Sequence, residues 1–182
     1  MKHDDMTPII HKWMDLLKPV ITRCEVAGSY RREKPESKDI DLVCIPVLES
    51  RKDLFGGDTG KKISRLEMWF ATHNDGSLFT LLQNGPKKKK LALPEGLHLE
   101  LYIVTPETWG VMFLIRTGPE EFSHWLVTKI QNGGALPRYC QIKDGNLWSA
   151  GKIIPTPEER DVFWALNLPY TEPKDRVAQW RR

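Results

Sequence analysis

The sequence predicts an α+β fold, and three observations predict it. Leu42 to Val47 is an apolar run with β-branched Val43, Ile45 and Val47, the pattern of a buried strand. Lys87 to Val104 reads as two strands joined by a turn at Pro94-Glu95-Gly96, and its second arm alternates apolar and polar residues. Apolar residues recur at helical spacing over Ile9–Val20 and again over Glu120–Asn132.

In chain order, Ile9, Ile10, Trp13, Met14, Leu16, Leu17 and Val20 form one helical stripe, with Pro8 suited to a first turn and Pro19 ending or kinking the helix. Cys24 to Ala27 reads as a strand that runs into Gly28-Ser29 and a short helix. A Gly-Ser pair in that place lets phosphate oxygens approach backbone N–H groups, and Arg31 and Arg32 offer guanidinium forks to the same anions. Asp39 and Asp41 then stand at the mouth of the Leu42–Val47 strand, two residues apart and so on one face, with Ile40 turned away. Two carboxylates about 4 Å apart repel by roughly 4 kcal/mol at an effective dielectric near 20, which calls for a cation between them. Hard oxygen ligands with no His or Cys cluster nearby suit Mg²⁺. Metal-binding carboxylates beside a phosphate cradle imply a metal–triphosphate substrate. Taken singly, either feature reads more simply as a turn or a strand cap.

Glu49 to Lys62 carries Gly56, Gly57 and Gly60 but lacks the Gly-Lys-Ser/Thr of a phosphate loop, so a flexible loop is expected. Ile63–Ala71 and Ser77–Gln83 read as short helices. In the hairpin, Leu97, Leu99, Leu101 and Ile103 face one way and His98, Glu100 and Tyr102 the other. Lys87, Lys88, Lys89 and Lys90 either blunt an edge strand or follow a phosphate backbone, and the second is favoured beside a metal–nucleotide site. Beyond it, Thr108–Arg116 is a helix broken at Thr117-Gly118-Pro119, where a cis peptide is permitted. Arg138–Ile142 and Leu147–Trp148 flank a turn, and Ile154–Phe163 reads as a capped helix with acids in its first turn.

Hydrophobic residues make up 40 % and charged residues 28 % of the 182, a soluble globular balance. No apolar run reaches the length of a membrane span, and Met1 to Asp5 lacks a signal-peptide core, so an intracellular protein is expected, cytoplasmic or viral and acting in a host cell. Three widely spaced cysteines fit reduced thiols better than a disulfide frame or a zinc site. A net charge of +3 permits nucleic-acid binding without arguing for it.

Gly28-Ser29, Arg32 and Asp39-Ile40-Asp41, with eleven residues from the glycine to the first aspartate, resemble the signature of the polymerase β nucleotidyltransferase superfamily, and the Arg-Arg pair resembles family X DNA polymerases. The resemblance implies a nucleotidyltransferase palm over residues 1–106, a mixed or antiparallel sheet with helices on one face, and a small α+β thumb over residues 107–182. It implies two Mg²⁺ ions, with Mn²⁺ able to substitute, held by Asp39, Asp41 and Glu100, the last standing where the family normally has Asp. It also implies that Glu100 takes the proton of the attacking 3′-hydroxyl, and that Gly28, Ser29, Arg32 and Lys38 hold the triphosphate. Lys87 to Lys90 and His98 are expected at nucleic acid, and Ile115, Arg116, Thr117, Gly118 and Ser123 around the sugar and base. Ile115-Arg116 replaces the aromatic pair that crowds the sugar in the family, and Ser123 and Val127 replace its base-contacting Asn and minor-groove Arg. The expected function is a template-directed, gap-filling DNA polymerase that acts as a monomer on primer–template or gapped DNA with nucleoside triphosphates, away from membranes. The alternatives are a template-independent nucleotidyltransferase acting on an RNA end, a small molecule or a protein, and a non-catalytic nucleic-acid-binding module.

Overall fold

The computed structural model describes residues 1–52 and 57–180. The chain opens with helix α1 (His3–Leu17), strand β1 (Ile21–Val26), the one-turn helix α2 (Gly28–Arg31) and strand β2 (Asp39–Pro46). Strands β3 (Leu48–Lys52) and β4 (Asp58–Ser64), helix α3 (Arg65–Thr72), and strands β5 (Thr80–Asn84), β6 (Lys88–Ala92) and β7 (His98–Ile103) follow. Helices α4 (Trp109–Thr117) and α5 (Glu120–Val127), strands β8 (Cys140–Lys143), β9 (Asn146–Ser149) and β10 (Lys152–Ile154), and helix α6 (Glu159–Ala165) complete it. The fold is α+β, as the sequence predicts.

Five strands form one mixed sheet in the order β1-β2-β7-β6-β5. Its pairs are antiparallel except β2 with β7, which run parallel with Ile40 opposite Leu99 and Leu42 opposite Leu101. Because side chains alternate across a strand, this register sorts the two faces. Ile40, Leu42, Cys44, Leu91, Leu99 and Leu101 face α1 and α3, where Met6, Ile10, Trp13, Leu17, Leu66 and Phe70 close the main core. Each such side chain contributes about 1.5–3 kcal/mol through burial. On the opposite face Val43 and Tyr102 pack with Ala27 against Trp109 and Phe113 of α4. A second core gathers α4, α5 and α6 with the three-stranded sheet β10-β9-β8 around Val111, Leu114, Phe122, Leu126, Leu147, Val162 and Phe163.

Several local expectations change. α1 starts at His3, its first bond running from Met6 N to the Lys2 carbonyl, so Pro8 lies inside the helix and removes the bond to the Asp4 carbonyl. Ser77–Gln83 is not a helix. The Ser77 N–H and hydroxyl both donate to Asp75 Oδ1, closing a turn, and the chain then pairs with β6 as β5. Strand pairing there overrides a weak helical pattern. β3 and β4 pair as a ribbon within the expected Glu49–Lys62 loop, and Gly56 of that loop lies outside the described residues. α5 stops at Val127 because Thr128 is extended, and Ile130–Asn132 is a separate 3₁₀ turn. The Gly118–Pro119 peptide is cis, and Cys24, Cys44 and Cys140 are free thiols. Among the described residues no helix is long and apolar enough to cross a membrane.

Candidate active site

The parallel pairing of β2 with β7 builds the site. It sets Asp39 opposite His98 and Asp41 opposite Glu100, all on the face away from the main core. Asp39 Oδ1 lies 3.2 Å from His98 Nδ1. Glu100 is the most heavily engaged carboxylate: Lys88 Nζ lies 2.5 Å from Oε2, Lys90 Nζ 3.1 Å from Oε1, and Tyr102 Oη donates to Oε2 at 2.6 Å.

The two central carboxylates are driven in opposite directions. Burial pushes the Asp41 carboxyl up to about 6, and the negative charges of Glu100 and Asp39 add to that against the weaker pull of Lys88 and Arg32. Burial would also raise Glu100, but hydrogen bonds from Lys88, Tyr102 and Lys90 together outweigh it and hold the carboxyl at about 2. Burial and the bond to Glu100 raise the Tyr102 phenol, keeping it a donor. The Arg116 guanidinium stacks 4.2 Å from the centre of the Tyr102 ring, bringing a cation from α4 to the rim.

The Gly28 turn closes the other side. Gly28 has φ +60°, and a Cβ there would overlap Asp41 Oδ2, so only glycine lets the backbone lie against that carboxylate. The Ala27 N–H donates to the Asp41 carbonyl at 2.8 Å, fixing the turn to β2. The Ser29 hydroxyl is hydrogen-bonded to that of Ser37. Arg32 donates through Nη1 to the Thr117 carbonyl, beside Gly118. Arg31 instead forks onto Glu159, with both N···O distances 2.8 Å, and reaches Thr117 Oγ1 at 2.6 Å.

The structure thus brings together Asp39, Asp41, Glu100, Gly28, His98, Lys88 and Lys90. Ser29 and Arg32 stand close by in α2 and at its end, and Lys38 is exposed beside Asp39. Other expectations need correction. Lys89 points into the main core, fully buried, with Nζ on Glu67 Oε2 at 2.9 Å and on Asn84 Oδ1, so it cannot meet nucleic acid. The alternation of β6 imposes this: Lys88 and Lys90 share one face and Lys89 takes the other. Lys88 and Lys90 are ion-paired to Glu100, and Lys87 is exposed beyond the strand. Thr117 and Ser123 are buried, their hydroxyls donating to the Phe113 and Ile115 carbonyls at 2.7 and 2.9 Å, so neither presents a hydroxyl to a sugar or base here. Ile115 packs against the second core, while Arg116 is exposed.

Sequence reasoning missed the role of Lys88 and Lys90. The signal was available: a hairpin turning at Pro94-Glu95-Gly96 pairs Lys90 with Glu100 and Lys88 with Tyr102. It missed equally the forks of Arg31 on Glu159 and Arg23 on Glu158, partners with no local signature.

Hard carboxylate oxygens with excess negative charge at a half-buried Asp41 suit a divalent cation. Among the described residues no three His, Cys, Asp or Glu side chains are gathered as they stand to hold one, and Glu100 is ion-paired to Lys88 and Lys90. The carboxylate oxygens of Asp39 and Asp41 have the donor chemistry that suits such an ion.

A mixed five-stranded sheet bearing aligned carboxylates on one face is consistent with a nucleotidyltransferase-like palm. DNA polymerase lambda of Rattus norvegicus is 29 % identical over 172 residues, covering 84 % of this chain and 28 % of that protein. The chain therefore spans little more than a quarter of the length of the relative it matches. No protein-family model matches. The identity to that polymerase supports a distant, family X-like relationship.

Proposed function

We propose that this chain is a template-directed DNA polymerase of the gap-filling type, joining a nucleoside triphosphate to a primer 3′-hydroxyl. The observation that supports it most is the alignment of Asp41 with Glu100 across β2 and β7, with Gly28 pressed against Asp41 from the opposite side. The likeness to DNA polymerase lambda supports the same reading. Residues 1–106 serve as palm and residues 107–182 as thumb, acting as a monomer on primer–template or gapped DNA.

Asp39, Asp41 and Glu100 are the residues that would hold two Mg²⁺ ions, or Mn²⁺ in their place, and such ions when bound stabilise the attacking and leaving oxygens of an in-line displacement. Backbone N–H groups at Gly28 and Ser29 receive the β- and γ-phosphates, with Arg32 and Lys38 supplying positive charge. The bond from the 3′-oxygen to the α-phosphorus forms as the bond from that phosphorus to the β-bridging oxygen breaks, and pyrophosphate departs. In this reading the proton of the 3′-hydroxyl passes to a Glu100 carboxylate oxygen.

A second reading, template-independent transfer to an RNA end, a small molecule or a protein, is favoured by the buried and internally bonded Thr117 and Ser123, which leave no hydroxyl there to read a base pair. Gap-filling assays with each deoxy- and ribonucleoside triphosphate, with and without a complementary template, decide between them. Template-dependent incorporation that Asp41→Ala abolishes supports the polymerase. Equal incorporation without template supports the second reading. No metal-dependent release of pyrophosphate from a nucleoside triphosphate with any acceptor leaves a binding module.

A further inference from the structure

Lys88 and Lys90 stand one strand from Glu100, on the sheet face that carries Asp39 and Asp41. Their ammonium groups take one Glu100 oxygen each, and Tyr102 Oη shares Oε2 with Lys88. An ionised carboxylate offers about four lone-pair sites; Lys88 and Tyr102 fill both on Oε2, and the one left on Oε1 lies beside the Lys90 ammonium, whose charge opposes a divalent ion there. Both lysine side chains remain about a third exposed, at 31 % and 30 %, so they are not sealed into this arrangement. Lys89, between them, is the contrast: it is fully buried on the other face and holds Glu67. Among the described residues Asp41 has no hydrogen-bonded ammonium of its own, and Lys88 and Arg32 act on it only through space. The compensating charge is thus concentrated on the one carboxylate that comes from the second strand.

We propose that Lys88 and Lys90 are positioning residues that hold Glu100 in place of a divalent ion, and that metal binding frees both ammonium groups for phosphate oxygens of the nucleotide or the primer strand. This rests on the nucleotidyltransferase reading above and deepens it. Metal and phosphate binding become linked, because the ion that recruits Glu100 also uncovers two positive charges beside it.

The test uses Mn²⁺ binding, followed by its spin resonance, and the rate at which an amine-acylating reagent labels each lysine, read by mass spectrometry. Mn²⁺ should bind the wild-type chain and be lost in Asp41→Asn. The Lys88→Met/Lys90→Met protein should bind Mn²⁺ at least about tenfold tighter, since two cations leave the ion's immediate surroundings. The same lysine changes should give a much smaller gain in a Glu100→Gln background. Labelling of Lys88 and Lys90 should rise several-fold with Mn²⁺, while Lys87 is unaffected and Lys89 stays protected. Later protection by inorganic tripolyphosphate assigns the freed lysines to the nucleotide, and protection by a primer–template duplex alone assigns them to nucleic acid. Asp41-dependent Mn²⁺ binding with no gain in the lysine variant, an equal gain in both backgrounds, unchanged labelling, or no protection by either phosphate source overturns the lysine role and leaves the nucleotidyltransferase reading standing. Absence of Asp41-dependent Mn²⁺ binding overturns both. Single Lys88→Met and Lys90→Met proteins, with half the charge removed, give the same comparison if the double variant misfolds.

Discussion

Gly28 and Asp41 are built against each other: the backbone of the first, at φ +60°, lies where any side chain would overlap Oδ2 of the second. Gly28→Ala therefore combines left-handed strain of about 1–2 kcal/mol with forced displacement of the Asp41 carboxylate. The variant should unfold at lower temperature and lose Mn²⁺ affinity together. Wild-type Mn²⁺ affinity in a folded Gly28→Ala protein would show that the carboxylate does not need its present position.

Asp41 and Glu100 are neighbours in register, yet their neutral variants should shift stability in opposite directions. The Asp41 carboxyl, raised to about 6, holds a proton in the folded chain between about pH 4 and 6 that the unfolded chain has lost. The folded state binds more protons in that window, so stability falls as pH rises through it, by about 3 kcal/mol. Asp41→Asn should remove that fall and be more stable than wild type at pH 7 in chelator. Glu100, held at about 2, contributes stability that is present above its ordinary range near 4.5 and lost as pH falls toward 2. Glu100→Gln should be less stable at pH 7, with Lys88 and Lys90 left without a carboxylate. Thermal unfolding of both variants from pH 4 to 8 checks the signs, and a shared direction would contradict the charge distribution described.

Much of this site was legible because its parts are close in sequence or obey alternation. The pair Asp39 and Asp41, the Gly28 turn, and the face shared by His98, Glu100 and Tyr102 all follow from a two-residue period and one strained turn. The parallel pairing of β2 with β7 is a long-range choice that the sequence does not encode locally, and it alone decides that Asp41 meets Glu100. Alternation also carried the information that Lys89 must oppose Lys88 and Lys90, but a run of four lysines reads as one charged patch until a strand is drawn through it. Ser77–Gln83 failed for the opposite reason: its weak helical pattern lost to an open sheet edge beside β6.

The contacts joining α2 and β1 to α6 differ sharply in burial, and burial sets their worth. Glu159 is 6 % exposed; it accepts the Arg31 fork and is ion-paired to the fully buried Arg176, 2.9 Å away. Glu159→Ala strands two cations and should cost about 3–5 kcal/mol. Arg23 and Glu158 make an equally good fork, but the side chains are 33 % and 54 % exposed. Arg23→Ala should cost about 1 kcal/mol, including its stacking over Trp109. Urea unfolding of both variants tests the order, and a larger loss for Arg23→Ala would reverse it.

The four consecutive lysines should separate cleanly in DNA binding. Each lysine that neutralises a phosphate lowers the slope of log K against log salt by about 0.9 when removed. Lys87, exposed before β6, should show that loss on change to Met. Lys89→Met should leave the slope unchanged, because its ammonium sits in the core between Glu67 and Asn84 and never reaches solvent. Its stability should change little or rise, since an apolar side chain of similar length can fill the same space while half-exposed Glu67 turns to water. Fluorescence-anisotropy titrations at several salt concentrations measure both slopes. A loss for Lys89→Met as large as that for Lys87→Met would mean that β6 turns its other face to the DNA, and the placement of Lys89 in the core would fall with it.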